Sequence, residues 1–255
     1  MSTLPASGII TGAAGGIGRE LTLTLAGAGI DVIATDLDQS RLDDLVRSAY
    51  SLPGRVIGVA GDMLDPELPA RLCQRAIEDF GGVELLVNCS GMLQDARVQK
   101  MPVELFRRLI NINLVGPLRL IEAVAPLMKE AGKGRIISIA SRAWLGNFGS
   151  SGYSCAKGGV VGASRALSLA LAPHGITVNC IAPGFIETPM ARSLPPHILE
   201  RVLEAIPVGR SGTVEDIAGL VLYLASSASG YITGQTLVAC GGRSISSPIA
   251  KSGEN

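Results

Sequence analysis

Short apolar runs alternate along the chain with longer segments in which apolar residues recur every three or four positions. The runs predict strands buried on both faces, because they lack the alternation of a sheet with one solvent-facing side. The longer segments predict amphipathic helices that cover the sheet. We predict strands at 7–11, 31–35, 55–60, 83–87, 134–140, 176–181 and 235–239, and helices at 17–28, 39–49, 66–80, 102–131, 153–172 and 213–225. This order predicts an α/β fold, a doubly wound parallel sheet of about seven strands with helices on both faces.

Composition narrows the domain count and the function classes. The chain has 255 residues, 47% hydrophobic and 17% charged, and no linker, repeat or low-complexity tract, so residues 1–255 are interpreted as one domain. The formal net charge is zero without any Lys/Arg run, which argues against nucleic acid or a membrane as partner. The start of the chain shows no signal peptide, and we expect every apolar stretch to stop short of a membrane span. The five cysteines lack metal-like spacing, so we expect no metal site and reduced thiols in a cytoplasmic protein.

A glycine-rich turn between the first predicted strand and helix is the first candidate site. Gly12, Gly16 and Gly18 have the spacing T-G-x-x-x-G-x-G, which differs from the commoner G-x-G-x-x-G fingerprint. Without Cβ atoms the backbone can approach a pyrophosphate closely, and the N-terminus of the following helix favours negative charge. Glycine also suits any tight strand-to-helix turn, so the cluster by itself leaves a purely structural role open.

An acidic residue strengthens the nucleotide interpretation. Asp36 lies 18 residues after Gly18, at the end of the second strand, where a carboxylate can accept both hydroxyls of an adenosine ribose. The same carboxylate would repel a 2′-phosphate, and neither the glycine loop nor Leu37 supplies a compensating charge; Arg19, just after the loop, is the exception. We therefore expect NAD rather than NADP. Asp36 as a plain helix-start or surface residue stays the alternative.

The second candidate site follows the fifth predicted strand. That strand delivers Ser141, and Tyr153 and Lys157 stand four residues apart, on one face of the next predicted helix. An ammonium beside a phenol favours the phenolate and so lowers the tyrosine pKa towards that of a general base. Because free tyrosine titrates near pH ~10, a second positive charge such as an oxidised nicotinamide would help. Tyr-x-x-x-Lys by itself also occurs by chance on amphipathic helices.

The motifs of residues 7–242, in their order along the chain, resemble those of the short-chain dehydrogenase/reductase family, which has a Rossmann-type fold. The motifs that carry the resemblance are the glycine loop, Asp36, Asn113, Ser141, Tyr153 and Lys157. The segment 88–91 reads Asn-Cys-Ser-Gly where the family usually has Asn-Asn-Ala-Gly, and Cys240 replaces the family's aspartate before Gly-Gly. The resemblance implies a cofactor-binding set of Gly12, Gly16, Ile17, Gly18, Asp36, Leu37, Asp62, Met63, Asn88, Gly91, Tyr153, Lys157, Pro183, Gly184, Ile186 and Thr188. In this set it implies that Asp62 contacts the adenine and that Pro183, Gly184 and Thr188 belong to the loop that holds the nicotinamide end.

The resemblance also implies a role for each catalytic residue. Tyr153 would exchange the proton of the substrate oxygen, while Lys157 would lower the tyrosine pKa and hold the nicotinamide ribose. Ser141 would hydrogen-bond the substrate oxygen and stabilise charge that develops on it. Asn113 would kink its helix and hold a water that links Lys157 to solvent. Residues 185–212 would form a substrate lid, and helices 102–131 and 153–172 would pair across the subunits of a homotetramer.

The substrate pocket is formed by loops, where the sequence pattern gives the least information about structure. We hypothesise that Arg142 pairs with a carboxylate or phosphate of the substrate and that Trp144 or Phe148 packs on its apolar part. The alternative is an Arg142 that faces solvent or bridges a subunit contact. The other pocket candidates are Met92, Phe185 and Met190.

The predicted function is hydride transfer between NAD and a secondary alcohol or ketone, with tyrosine as general acid and base. Within the family, a hydroxyacyl or 3-oxoacyl thioester is the alternative substrate. Outside this class, a catalytically silent nucleotide-binding subunit is the alternative.

Overall fold

Seven parallel strands form one sheet within residues 3–188 and 196–246, the part of the chain that the computed structural model describes. The strands are β1 Ser7–Thr11, β2 Asp31–Asp36, β3 Val56–Ala60, β4 Leu85–Asn88, β5 Gly134–Ile139, β6 Ile176–Pro183 and β7 Thr236–Ala239. Their order across the sheet is β3-β2-β1-β4-β5-β6-β7. The strands β1 and β4 are neighbours, so the winding direction reverses between them. Ligands of open parallel sheets bind at such a reversal, beyond the carboxyl ends of the strands.

The helices cover both faces of this sheet, as the pattern predicts. They are α1 Gly16–Gly27, α2 Gln39–Ala49, α3 Leu68–Phe80, α4 Val103–Ile110, α5 Gly116–Ala131, α6 Ser151–Leu171, α7 Pro196–Glu204 and α8 Val214–Ala225. Apolar residues of α1, α2 and α8 fill a core on one face, among them Leu21, Leu42 and Val221. Residues of α3 and α5, among them Leu72 and Val124, fill the core on the other face.

The predicted boundaries of the elements differ from the observed ones by about two residues. The helix predicted from 153 begins at Ser151, and the strand predicted to end at 181 continues to Pro183. The helix α7 was not predicted. The helix predicted at 102–131 is divided by a π-helical turn at Asn111–Val115. Such a turn inserts one residue into the helical ladder and marks many functional sites.

One helical stretch of the described residues, Val103–Ala131, is long and apolar enough, by length and composition alone, to cross a membrane. The expectation that every apolar stretch stops short of a span therefore does not hold for this segment. Its residues Leu120, Val124 and Met128 are buried in the core against the sheet. Core helices of soluble proteins meet the same criterion, so the finding is weak support for a membrane span.

Candidate active site

The glycine turn between β1 and α1 is close-packed against the end of β4. Gly12 has φ 64°, and a Cβ there would lie 2.7 Å from the Cα of Ser90. A Cβ on Gly18 would overlap the carbonyl oxygen of Gly12. Both positions are therefore restricted to glycine, Gly12 in the turn and Gly18 in the first turn of α1. This helix begins at Gly16 without a side-chain cap, so its first N–H groups have no intrahelical partner. This is the arrangement that receives phosphate groups in proteins.

The carboxylate of Asp36 lies against this turn, as the sequence predicts. Its Oδ2 accepts a hydrogen bond from Ala14 N at 3.0 Å, and its Oδ1 accepts one from Leu37 N at 2.8 Å. The turn also has a basic neighbour that the sequence pattern did not indicate: the guanidinium of Arg41 donates to Ala14 O. Arg19, which the sequence singles out, donates instead to Ser48 Oγ at 2.8 Å. The missed signal is the position of Arg41 in the first turn of α2, which borders the glycine turn.

The end of β4 places polar groups beside the glycine turn. Asn88 is 3% exposed, and neither its Nδ2 nor its Oδ1 has a hydrogen-bond partner among the described residues. An unsatisfied buried amide is costly, so this site favours a polar ligand or water. Thr11 Oγ1 accepts hydrogen bonds from Cys89 N at 3.1 Å and Ser90 N at 3.0 Å, which holds this segment beside the glycine turn.

The predicted adenine-side residues lie at the end of β3. Asp62 Oδ1 accepts a hydrogen bond from Leu64 N at 2.9 Å, and the side chain stays partly exposed. Met63 packs on the start of α5, where a Cβ on Gly116 would lie 2.9 Å from Met63 O. Together with the glycine turn and the unpartnered Asn88, these residues fit a dinucleotide.

Asn113 lies at the centre of the π turn and is fully buried. Its Nδ2 donates to Met92 O at 2.9 Å and to Leu109 O at 3.0 Å, and its Oδ1 accepts from Met92 N at 3.2 Å. A Cβ on Gly91 would lie 2.9 Å from this Oδ1 and 3.6 Å from Lys157 Nζ. The amide thus fastens the loop after β4 to the helix, and both of its N–H groups already have protein partners.

Ser141, Tyr153 and Lys157 converge at the end of β5. Ser141 caps the short 3-10 turn Arg142–Leu145, and its Oγ accepts a hydrogen bond from Ala143 N at 3.1 Å. The Ser141 hydroxyl also hydrogen-bonds the phenol of Tyr153 and so lowers its pKa. Lys157 is 4% exposed, donates to Ile139 O at 2.8 Å and lies with its Nζ 5.7 Å from the ring centre of Tyr153.

Burial is the largest influence on the pKa of Tyr153 and of Lys157. Burial raises the pKa of Tyr153 above 10.0, and the hydrogen bond from Ser141 opposes that rise only in part, while Cys89 and Asp95 add to it. Burial also lowers the pKa of Lys157 to about 8, so its positive charge is weakly held. Desolvation thus dominates the pKa of both groups, and the lowering of the tyrosine pKa by Lys157 that the resemblance implies stays a prediction.

The predicted nicotinamide end follows β6. Pro183 ends this strand, and a Cβ on Gly184 would lie 2.7 Å from the Cα of Cys240, so the backbone here packs directly on the end of β7. Ile186 pairs with Gly212 in an isolated bridge, and its side chain is buried in the core, which leaves only its backbone for a cofactor. Thr188 is partly exposed, at the end of a described segment.

The pocket candidates separate in the structure. Trp144 packs on a small core cluster with Val160 and Val161, and its Nε1 is buried without a hydrogen-bond partner. Phe148 is 87% exposed, so it does not line an apolar pocket in this chain by itself. The side chains that stay partly accessible at this edge are Met92, Arg142 and Phe185. Met190 and residues 189–195 of the predicted lid lie outside the described residues.

The arrangement can transfer a proton to or from a substrate oxygen beside a bound dinucleotide. A phenol, a hydroxyl and an ammonium meet at one edge of the sheet, and the glycine turn with Asp36 lies at the same edge. These are the parts that general acid–base catalysis of an alcohol or carbonyl requires.

Comparisons with known proteins show which family of chains this one is similar to. Residues 12–244 match a family model described as enoyl-(acyl carrier protein) reductase. Subunit BbsD of a hydroxy(phenyl)methylsuccinyl-CoA dehydrogenase from Thauera aromatica is 40% identical over 93% of this chain and 96% of the relative. A 3-oxoacyl-(acyl-carrier-protein) reductase, FabG, from Thermotoga maritima is 38% identical over 92% of this chain and 96% of the relative. The crystal structure of a short-chain type dehydrogenase/reductase from Mycobacterium marinum superposes with a TM-score of 0.88, at 31% identity, and covers 94% of this chain and 96% of that chain.

Proposed function

Because the chain belongs to the short-chain dehydrogenase/reductase family, we propose that this oxidoreductase transfers hydride between NAD and a secondary alcohol or ketone. Tyr153 acts as the general acid and base. The observation that carries the proposal is the buried Lys157, which donates to Ile139 O at 2.8 Å and lies with its Nζ 5.7 Å from the ring centre of Tyr153, at the edge where the glycine turn ends.

The preference for NAD rests on Asp36. Its carboxylate is fixed by Ala14 N and Leu37 N at the glycine turn, where it can accept ribose hydroxyls and repel a 2′-phosphate. Arg41 lies beside it and donates to Ala14 O, which supports the loop, while its guanidinium keeps its positive charge.

In the proposed mechanism, Ser141 and Tyr153 act on the oxygen of the substrate's alcohol or carbonyl group. When bound, the nicotinamide supplies the hydride acceptor or donor. Ser141 donates a hydrogen bond to the substrate oxygen, and Tyr153 takes or returns the proton of that oxygen. Burial holds the phenol protonated before the cofactor binds, and the positive charge of an oxidised nicotinamide would then favour the phenolate. Lys157 adds its own charge below about pH 8.

A thioester substrate is the second candidate. Two relatives are named for thioester substrates, one a CoA ester and one an acyl carrier protein. A catalytically silent nucleotide-binding subunit is the third. It would bind NADH tightly yet turn over no alcohol, ketone or thioester.

The test compares Tyr153→Phe with Tyr50→Phe, since Tyr50 is 94% exposed on the surface. We expect Tyr153→Phe to lower kcat by about 10²–10⁴ and to keep its affinity for NADH, measured by cofactor fluorescence. Tyr50→Phe should match wild type. Wild-type turnover by Tyr153→Phe would overturn the proposed mechanism.

The cofactor preference is tested with kcat/KM for NADH and NADPH. We expect Asp36→Asn to reduce the preference for NADH by about 10-fold or more, because it removes the repulsion of the 2′-phosphate. Asp43→Asn, an exposed position on α2, is the control. An NADPH preference in wild type would refute the assignment of NAD.

We further propose a homotetramer in the cytoplasm. Exposed apolar side chains on α4 and α6, Val103 at 61% and Leu169 at 80%, fit helix pairing between subunits. Light scattering that gives a monomer would contradict this assembly.

A further inference from the structure

Two arginines, Arg142 and Arg243, lie at the substrate edge of the sheet, and neither has a counter-charge among the described residues. Arg142 follows Ser141 directly, beyond the end of β5, and Arg243 lies beyond the end of β7. Within residues 3–188 and 196–246, neither guanidinium donates a hydrogen bond or forms an ion pair. Each is only partly exposed.

The sheet register places these two positions at the same edge of the sheet, beyond two strands that both pair with β6. The strand β6 pairs with β5 on one side and β7 on the other, with Ile139 opposite Ile181 and Pro183 opposite Ala239. Arg243 N donates to Cys240 O at 3.2 Å, which folds the chain into a turn directly after β7. The same Cys240 packs on Gly184, at the predicted nicotinamide end.

The two charges act on each other. Burial lowers the pKa of Arg243, and the charge of Arg142 lowers it further, while the Cys240 thiol acts in the opposite direction. Like charges brought together in a partly desolvated site destabilise a fold unless an anion lies between them. Arginine is the side chain that binds carboxylates in a bidentate geometry.

We infer that Arg142 and Arg243 form a subsite for a carboxylate carried by the substrate close to its reacting carbon. The inference rests on the proposed function and names its substrate class, an oxo or hydroxy acid or an acid-bearing acyl chain. The short distance follows from the sequence, because consecutive Cα atoms lie about 3.8 Å apart and Arg142 adjoins Ser141. A phosphopantetheine phosphate is separated from its thioester carbonyl by the whole pantetheine arm, so it fits this position less well.

Matched substrates separate the carboxylate from the rest of the molecule. Acetoacetate and methyl acetoacetate, and levulinate and methyl levulinate, are each assayed with NADH on wild type, Arg142→Ala and Arg243→Ala. We expect each variant to lose about 10- to 100-fold in kcat/KM for the acids and to keep the activity of wild type on the esters. Arg47→Ala, whose side chain is 71% exposed, is the control for loss of one positive charge.

Thermal stabilisation by a carboxylate tests the subsite without any need for turnover. Succinate should raise the Tm of wild type saturated with NADH, above the effect of sodium chloride at equal ionic strength, and should not do so in either variant. The same assay with inorganic phosphate distinguishes the two anions. Stabilisation by phosphate alone, or equal losses on acid and ester, would overturn the subsite. Succinate stabilisation without turnover of any substrate would support the subsite and refute the proposed function instead.

Discussion

Burial of the Lys157 ammonium predicts a stability cost that a neutral side chain removes. Lys157 is 4% exposed, and burial lowers its pKa from 10.5 to about 8. Between about pH 8 and 10.5 the unfolded chain binds a proton that the folded chain has released. The free energy of unfolding therefore rises with pH in this window, and below it the fold bears the full cost of the buried charge.

The size of this cost follows from the two pKa values. Each pKa unit corresponds to about 1.4 kcal/mol, so the fall from 10.5 to about 8 corresponds to ~3 kcal/mol. Lys157→Met keeps the apolar stem and removes the charge. It also leaves Ile139 O without the donor that now lies 2.8 Å away, which costs about 1–3 kcal/mol. We expect the variant at pH 7 to be between equal to wild type and ~2 kcal/mol more stable, and to lose catalytic activity.

The assay is urea unfolding by far-UV circular dichroism at one protein concentration between pH 7.5 and 9.5. Wild type should gain about 2 kcal/mol relative to Lys157→Met across this range. Lys129→Met, at an exposed position on α5, is the control for the replacement itself. A constant difference between wild type and Lys157→Met across the range would refute the assignment of the cost to the buried ammonium.

Two further predictions concern the glycine turn and the pocket loops. Gly18→Ala should weaken NADH binding at least 10-fold in a fluorescence titration, because its Cβ would overlap Gly12 O. Gly27→Ala is the control, since no atom lies within 4 Å of its Cβ. In thermal melts it should stabilise α1 by about 0.5–1 kcal/mol. Asp95→Asn should move the pH–rate profile for alcohol oxidation to lower pH, because Asp95 contributes to the raised pKa of Tyr153. An unchanged profile would show that the Asp95 carboxylate does not act on the phenol.

The sequence alone determined the architecture and most of the candidate site. Strands of a parallel sheet with helices on both faces are nearly continuous apolar runs, so the pattern predicted their number and their order along the chain. The glycine turn needs residues without Cβ atoms, and Gly12 and Gly18 both meet that need in the structure. The family motifs placed Asp36 at that turn and brought Ser141, Tyr153 and Lys157 to one edge.

Only the tertiary structure decided how deeply those residues are buried and how their pKa values shift. Charge and burial depend on neighbours far along the chain, so no local pattern shows that desolvation raises the pKa of Tyr153 and lowers that of Lys157. The contact of Arg41 with the glycine turn and the meeting of Arg142 with Arg243 have the same origin. In each case the tertiary fold surrounds a group with residues that lie far from it along the chain.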